Sequence, residues 1–161
     1  MAKASKPSKP KLTDFVGWRK RFERIYREAC KRPPSPYPRR RPLNELKDEF
    51  YRYYRAIKRA GELQALEDHI QQRDKQYWSR HRGKGKGSWW VMRLAEADDG
   101  YFQIPSSTTR SRLATELEYA DQNNIAPDML LAFLYESGST ETIEEDFAEG
   151  ERPKWAARYR E

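Results

Sequence analysis

The chain has 161 residues, enough for one ordinary domain or a domain with an arm, and a formal net charge of +7. Hydrophobic residues make up 37% and charged residues 35%, which predicts a modest core and a chain of which part is ordered only by a partner. The single cysteine, Cys30, excludes an intramolecular disulfide, and with two histidines it cannot complete a Cys/His zinc site.

The charge is distributed unevenly along the chain. Residues 1–93 contain 26 Lys/Arg and 10 Asp/Glu, a net charge of +16, whereas residues 94–161 contain 6 and 15, a net charge of −9. Such asymmetry predicts two surfaces with different partners, and a polyanion is the natural partner of the first. The alternative is that the two parts neutralise each other within one fold.

The N-terminal part is predicted to hold an arm, a helix and a bend. Residues 1–12 carry lysines and prolines without an acid, which predicts an extended arm. Residues 13–31 show aromatic and aliphatic positions at helical spacing, with basic residues between them and Thr13 or Asp14 as the cap. Residues 32–42 contain five prolines, which predicts a non-helical bend carrying an arginine triplet.

The middle of the chain is predicted to continue with helix and then a hairpin. Apolar residues at helical spacing predict one long helix or two helices between Asn44 and Arg80, with Gly61 as a possible break. A flexible basic loop follows at 81–88. Residues 89–94 and 101–104 are predicted to form two short strands around the turn signal Asp99-Gly100.

Three short helices are predicted in the acidic C-terminal part. The first begins at Ser106 or Ser107 and ends near Asn123, with its apolar positions facing inward. The second covers 127–137, with a proline in its first turn and Gly138 after its end. Thr142 and Glu145 are predicted to cap the third as a capping box, and a last turn would place Trp155 and Tyr159 on one side.

These elements predict a mainly α fold. It would comprise a basic N-terminal arm at 1–12, a basic helical nucleic-acid-binding region at 13–93 with a proline-rich bend, and a small acidic helical interaction module at 94–161. The one short β-hairpin is expected to pack on helices or on another subunit, because a lone hairpin is marginal in water.

Cations interleaved with aromatic residues in the basic part predict contact with the phosphates of a nucleic acid, without reading of its sequence. The alternative is a solvated surface. The candidate contacts are Lys3, Lys6, Lys9, Arg19, Lys20, Arg24, Arg27, Arg39, Arg40, Arg41, Arg52, Arg55, Lys58, Arg59, Lys84 and Lys86.

Large apolar side chains outside the basic helices are candidates for contacts between subunits. The helix around MLLAFLYES carries no cation, so it does not fit the recognition helix of a helix-turn-helix and fits a core or docking element. Aromatic residues of the hairpin could alternatively stack on unpaired bases. The subunit-contact candidates are Trp89, Trp90, Met129, Leu130, Phe133, Leu134 and Trp155.

No pattern in the sequence predicts an enzyme, a metal site, a cofactor or a small-molecule substrate. GKGKG at 83–87 lacks the Ser/Thr of a phosphate-binding P-loop. Asp68 and His69 are adjacent on a helix and do not face each other. The cluster Glu144, Glu145 and Asp146 is explained by an acidic first turn.

The chain opens with MAK and a short basic arm with prolines, and its first helix carries Phe15-x-x-Trp18-x-x-x-Phe22. In these features, over about 30 residues, it resembles the major coat proteins of rod-shaped and filamentous viruses of archaea. The resemblance implies many copies that wrap genomic double-stranded DNA in A-form as a helical array. The backbone contacts that it implies are Lys3, Lys6, Lys9, Arg19, Arg24, Arg39, Arg40 and Arg41.

The function predicted from the sequence is therefore a non-enzymatic structural protein that coats nucleic acid, DNA rather than RNA, as a repeated subunit of a virion or cytoplasmic nucleoprotein. The partners would be nucleic acid and other subunits of a large assembly. No apolar run approaches the ~20 residues that span a membrane, and no secretory leader is evident, so neither membrane insertion nor secretion is expected. The alternatives are an RNA-binding subunit of a ribonucleoprotein particle and a protein–protein adaptor of a phage-like particle.

Overall fold

A computed structural model describes residues 8–73, 91, 93–94 and 107–161, and these residues are mainly helical. Six α-helices have their bounds within the described ranges: α1 (Phe15–Lys31), α2 (Pro42–Arg59), α3 (Leu63–Arg73), α4 (Ser107–Gln122), α5 (Leu130–Ser137) and α6 (Thr140–Glu149). Short 3-10 segments cover Pro38–Arg40, Pro127–Met129 and Lys154–Tyr159. The mainly α prediction is confirmed.

Helices α1 and α2 form an antiparallel pair. Trp18 stacks on Tyr53 with ring centroids 4.2 Å apart, and Phe22 meets Phe50 edge-on at 4.7 Å. The predicted apolar face of α1 is confirmed at these positions, since Trp18 and Phe22 are buried. The Asp14 carboxylate accepts a hydrogen bond from the Gly17 amide and caps the helix, as one of the two predicted caps.

Helix α2 lies at the centre of the fold because it is buried on more than one side. The Tyr53 hydroxyl donates to the Leu12 carbonyl on the α1 side, at 2.9 Å. On the other side, Tyr51 donates to the Ile125 carbonyl at 2.8 Å, and Tyr54 donates to Glu118 at 3.0 Å. Burial raises the pKa of all three tyrosines, so their hydroxyls remain protonated donors.

The described residues of the basic and acidic parts share one hydrophobic core. It runs from Trp18 and Phe22 through α2 to Leu117 and Phe133, and Ala156 of the last 3-10 segment is also buried in it. On its C-terminal side, Phe133 packs against Trp155 with ring centroids 5.6 Å apart. The described parts of 13–93 and 94–161 are therefore joined by packing rather than separated by a linker.

Two local details differ from the sequence predictions, and a third, the division of the region after Asn44 into two helices, is one of the two predicted alternatives. The bend at 32–42 contains a 3-10 turn, and α2 begins at Pro42, because proline is tolerated in a first helical turn. The region after Asn44 forms two helices, separated at Gly61 with φ of 72°. Ser139, and not Thr142, caps α6 by accepting from the Thr142 amide, so the predicted capping box is wrong.

The predicted β-hairpin is not supported. The predicted first strand includes Val91, Arg93 and Leu94, but these three residues are helical. Val91 and Leu94 are three residues apart and are both completely buried, which is the spacing of one helix face. The second strand at 101–104 lies outside the described residues. Within the described ranges the only β-type pairing is the isolated bridge between Ile125 and Arg160.

Candidate nucleic-acid interface

The side of α1 that faces away from the core carries a row of cations. Lys20, Arg24, Arg27 and Lys31 follow one another at intervals of four, three and four residues, so they share one helix face. We call these four residues the α1 basic stripe. Trp18, Phe22 and Ala29 are buried on the opposite side of the same helix. Packing of α1 on α2 therefore directs the stripe outward.

The α1 basic stripe is accessible along its length. Lys20, Arg27 and Lys31 are exposed, and Arg24 is half-buried. At 1.5 Å per residue, the row spans about 16 Å along the helix. Arg27 pairs with Glu23 one turn earlier at 2.5 Å, so one of the four cations already has a carboxylate partner on the same helix. The stripe therefore offers several cations to one polyanion at the same time.

The arginine triplet of the proline-rich bend is also at the surface. Arg39, Arg40 and Arg41 are all exposed. Arg39 donates to the backbone carbonyl of Asp128 at 3.1 Å, which ties the bend to the C-terminal part of the chain. The Asn44 amide donates to the Pro38 carbonyl at 2.9 Å. These contacts order the bend through backbone carbonyls, and they do not pair the arginines of the triplet with carboxylates.

The cations of α2 have a different environment, because carboxylates of the acidic part lie against them. Lys47 meets Glu116 at 2.5 Å, with both side chains largely buried. Three further α2 cations are partly exposed and ion-paired to the acidic part: Arg52 to Asp128, Lys58 to Asp121, and Arg59 to Glu161. The neutralisation that the sequence left open as an alternative therefore occurs along α2.

Arg55 is not available for phosphate contact, which corrects the prediction for this residue. Its side chain is 7% exposed and donates to Asn124 at 2.8 Å and to Glu161 at 3.0 Å. It also donates to the Tyr51 hydroxyl at 3.2 Å and lies 3.3 Å from an Asp121 oxygen. The sequence places Arg55 among surface cations, but the fold uses it to join α2 to the end of the chain.

The predicted arm is described from residue 8 onward, and its last residues are held against the first two helices. The Trp18 indole donates to the Lys11 carbonyl at 3.0 Å, while the Leu12 side chain packs against the core. Lys9 is exposed beside this anchor, and Arg19 is partly buried. Lys3, Lys6, Lys84 and Lys86 lie outside the described residues, as do Trp89 and Trp90.

The C-terminal candidates for subunit contact lie mostly inside the fold. Leu130 and Phe133 are fully buried and Leu134 nearly so, which means that these three side chains stabilise the chain's own core. Trp155 packs on Phe133 and is only partly exposed. Met129 is 41% exposed and remains accessible to another molecule.

The carboxyl group of Asp48, beside the bend, has a raised pKa. Burial raises the pKa of Asp48 to about 6, and the nearby Asp128 adds to that rise, while Arg52, Arg39 and Lys47 oppose it. The folded protein therefore binds this proton more tightly than the unfolded chain, and Asp48 lowers stability as the pH rises from about 4 to 6.

We expect Asp48→Asn to raise the free energy of unfolding at pH 7 by about 1 kcal/mol, after allowance for the partial exposure of the site. The gain should be much smaller near pH 4, where the carboxyl group is protonated in the folded protein and about half protonated in the unfolded chain. Urea unfolding of both proteins at pH 4 and pH 7 measures the difference. An equal effect at the two pH values, or a loss of stability at pH 7, would contradict this assignment.

Sequence reasoning omitted Lys31 from the candidate phosphate contacts, and it did not single out Tyr37, an exposed aromatic residue of the bend. Lys31 lies four residues after Arg27 and continues the stripe, so helical spacing alone could have added it. Tyr37 is 65% exposed within the bend. Its signal in the sequence is an aromatic residue between two prolines and beside the arginine triplet, where no apolar periodicity assigns it to the core.

The described residues contain no group of three or more His, Cys, Asp or Glu side chains that could hold a metal ion. Among the described helices, none combines the length and apolar character required to cross a membrane. No protein family, curated protein or solved structure matches this chain. The resemblance of the first 30 residues to archaeal viral coat proteins therefore stays a prediction.

Proposed function

We propose that this protein is a non-enzymatic nucleic-acid-binding protein that coats duplex DNA through its phosphates. The observation that carries the proposal is the α1 basic stripe, a row of three exposed cations and one half-buried cation on the side of α1 opposite the core. Because lysine and arginine side chains on one helix face can contact successive phosphates, the affinity would come from release of condensed counterions and would not depend on base sequence.

The exposed bend extends this surface beyond α1. Arg39, Arg40 and Arg41 follow the end of α1 by fewer than a dozen residues and are all exposed. Arginine can engage phosphate with two parallel hydrogen bonds, which adds geometric selectivity for the backbone. The proposed interface does not include the α2 cations, because these side chains form ion pairs with carboxylates of the same chain.

The coating role requires many copies on one nucleic acid, and the chain carries exposed side chains of both charge signs. Acidic side chains of α6, including Glu144 and Glu145, are exposed, and this helix packs mainly on α4. An acidic surface on one copy can meet the basic surface of the next and fix the register of an array.

Fluorescence anisotropy with random-sequence duplex DNA, duplex RNA and single strands tests the proposal across a range of salt concentrations. We expect sequence-independent duplex binding whose affinity falls steeply with salt. Electron microscopy of saturated complexes then tests coating, for which continuous coverage is the expected result. Absence of binding to every nucleic acid at physiological salt would overturn the proposal and favour a protein adaptor. Preference for RNA would favour the ribonucleoprotein subunit.

A further inference from the structure

The proline-rich bend borders a half-open surface cavity that the phosphate-binding surface alone does not explain. It has a volume of about 330 Å³. Its walls are formed by residues 32–37 together with Arg40. The prolines restrict the backbone of the bend, so the cavity exists before a ligand arrives and little conformational entropy is lost on binding.

The cavity combines an aromatic face with a cation. The Tyr37 ring is 65% exposed, although most large apolar side chains of the described residues are buried. The guanidinium of Arg40 lies over this ring at 5.8 Å from its centroid. An exposed aromatic ring flanked by arginine offers stacking and a phosphate contact within one site.

The second arginine of the cavity has a structural role. Arg32 donates to Glu45 at 2.5 Å and thereby ties the beginning of the bend to α2. Arg40 forms no ion pair among the described residues, so its charge can serve a ligand. One wall of the cavity is therefore fixed by an ion pair, while the other carries the cation and the ring.

We infer that this cavity binds a single unpaired nucleotide, with its base stacked on Tyr37 and its phosphate on Arg40. The inference rests on the proposed function, because the strand would be held by the neighbouring basic stripe. A volume near the lower end of the range for ligand sites suits one nucleotide. A base in an intact duplex has both faces covered, so the nucleotide would come from a strand end or a single-stranded segment. An acidic peptide would use the arginine and leave the ring and the proline faces without a contact.

The test uses the full chain and a duplex carrying a short single-stranded overhang with 2-aminopurine, whose fluorescence changes on stacking. A blunt duplex of the same sequence reports phosphate binding alone. We expect wild-type protein to quench the overhang probe and to bind it more tightly than the blunt duplex. Tyr37→Ala should abolish the quenching and weaken overhang binding roughly 10-fold, with blunt-duplex affinity unchanged.

Two further variants distinguish stacking from a general change in the surface. Tyr37→Phe should retain the quenching, since the ring and not the hydroxyl makes the contact. Tyr135→Ala removes a tyrosine that is 89% exposed and lies outside the cavity, so it should change neither probe. An overhang that carries an abasic site in place of 2-aminopurine should bind wild type and Tyr37→Ala equally.

The outcomes separate this inference from the proposed function. Blunt-duplex binding without any Tyr37-dependent quenching would overturn the nucleotide site and leave the duplex proposal standing. Quenching that depends on Tyr37 without blunt-duplex binding would support the nucleotide site and overturn duplex coating. Absence of binding to both probes would overturn both.

Discussion

Replacement of Arg55 by alanine is expected to lower the free energy of unfolding by about 3 kcal/mol, because it removes one member of a buried charge network. The guanidinium is the shared donor to Tyr51, Asn124 and Glu161, and it lies 3.3 Å from Asp121. Asp121 is itself only 10% exposed, so it would retain a largely buried charge with Lys58 as its remaining partner. Urea unfolding followed by circular dichroism measures the loss.

Arg59 is a suitable control for the Arg55 variant, since it belongs to the same helix and also contacts Glu161. Its side chain is 57% exposed, so Arg59→Ala should cost less than about 1 kcal/mol. Adding Asp121→Asn to Arg55→Ala should recover part of the lost stability by removing the stranded charge. A loss for Arg55→Ala as small as that for Arg59→Ala would show that the network contributes little.

The sequence predicted the features of α1 because they depend on local spacing. The positions of Trp18 and Phe22 identify the apolar face, and the same periodicity places the cations on the opposite face. The end of α5 is also predictable from a local signal. Gly138 adopts φ of 97°, a conformation that glycine reaches without a steric penalty. In both cases the determining interaction lies within one or two turns of the residue.

The ion-pair partners of the α2 cations could not be predicted from local spacing. Spacing shows that Arg52, Arg55 and Arg59 lie on helix surface, but it does not show which distant segment covers that surface. The partners of Arg55 are 69 and 106 residues further along the chain. Only the tertiary fold brings those oxygens to α2, so a net charge of +16 for residues 1–93 overstates the cationic surface that remains for a ligand.

The first strand of the hairpin was predicted from an apolar run that is too short to distinguish a strand from a helix. Residues 89–94 are rich in aromatic and β-branched side chains, which favours a strand. The same run also places Val91 and Leu94 three residues apart, and both are buried as parts of a helix. A run of six residues contains too few positions to distinguish a period of 2 from one of 3.6, so packing against the rest of the chain decides.

Neutralising the α1 basic stripe is expected to weaken duplex DNA binding roughly 100- to 1,000-fold at physiological salt, because up to four phosphate contacts are lost. The variant combines glutamine substitutions at positions 20, 24, 27 and 31, and glutamine keeps most of the side-chain length. The slope of log K against log[salt] should fall in magnitude by up to about 3.6, at about 0.9 for each contact. Anisotropy titrations across a range of salt measure the affinity and the slope.

A matched variant removes the same total charge from cations that the fold has already paired. Glutamine at positions 52, 58, 59 and 158 replaces side chains that are 38–58% exposed and that each form an ion pair with an acidic residue of the chain. If net charge alone governed binding, the two quadruple variants would lose affinity equally. Loss confined to the stripe variant would instead show that geometry selects the cations, since a carboxylate at hydrogen-bond distance must be displaced before a phosphate can take its place. Equal losses would contradict the assignment of the interface to α1.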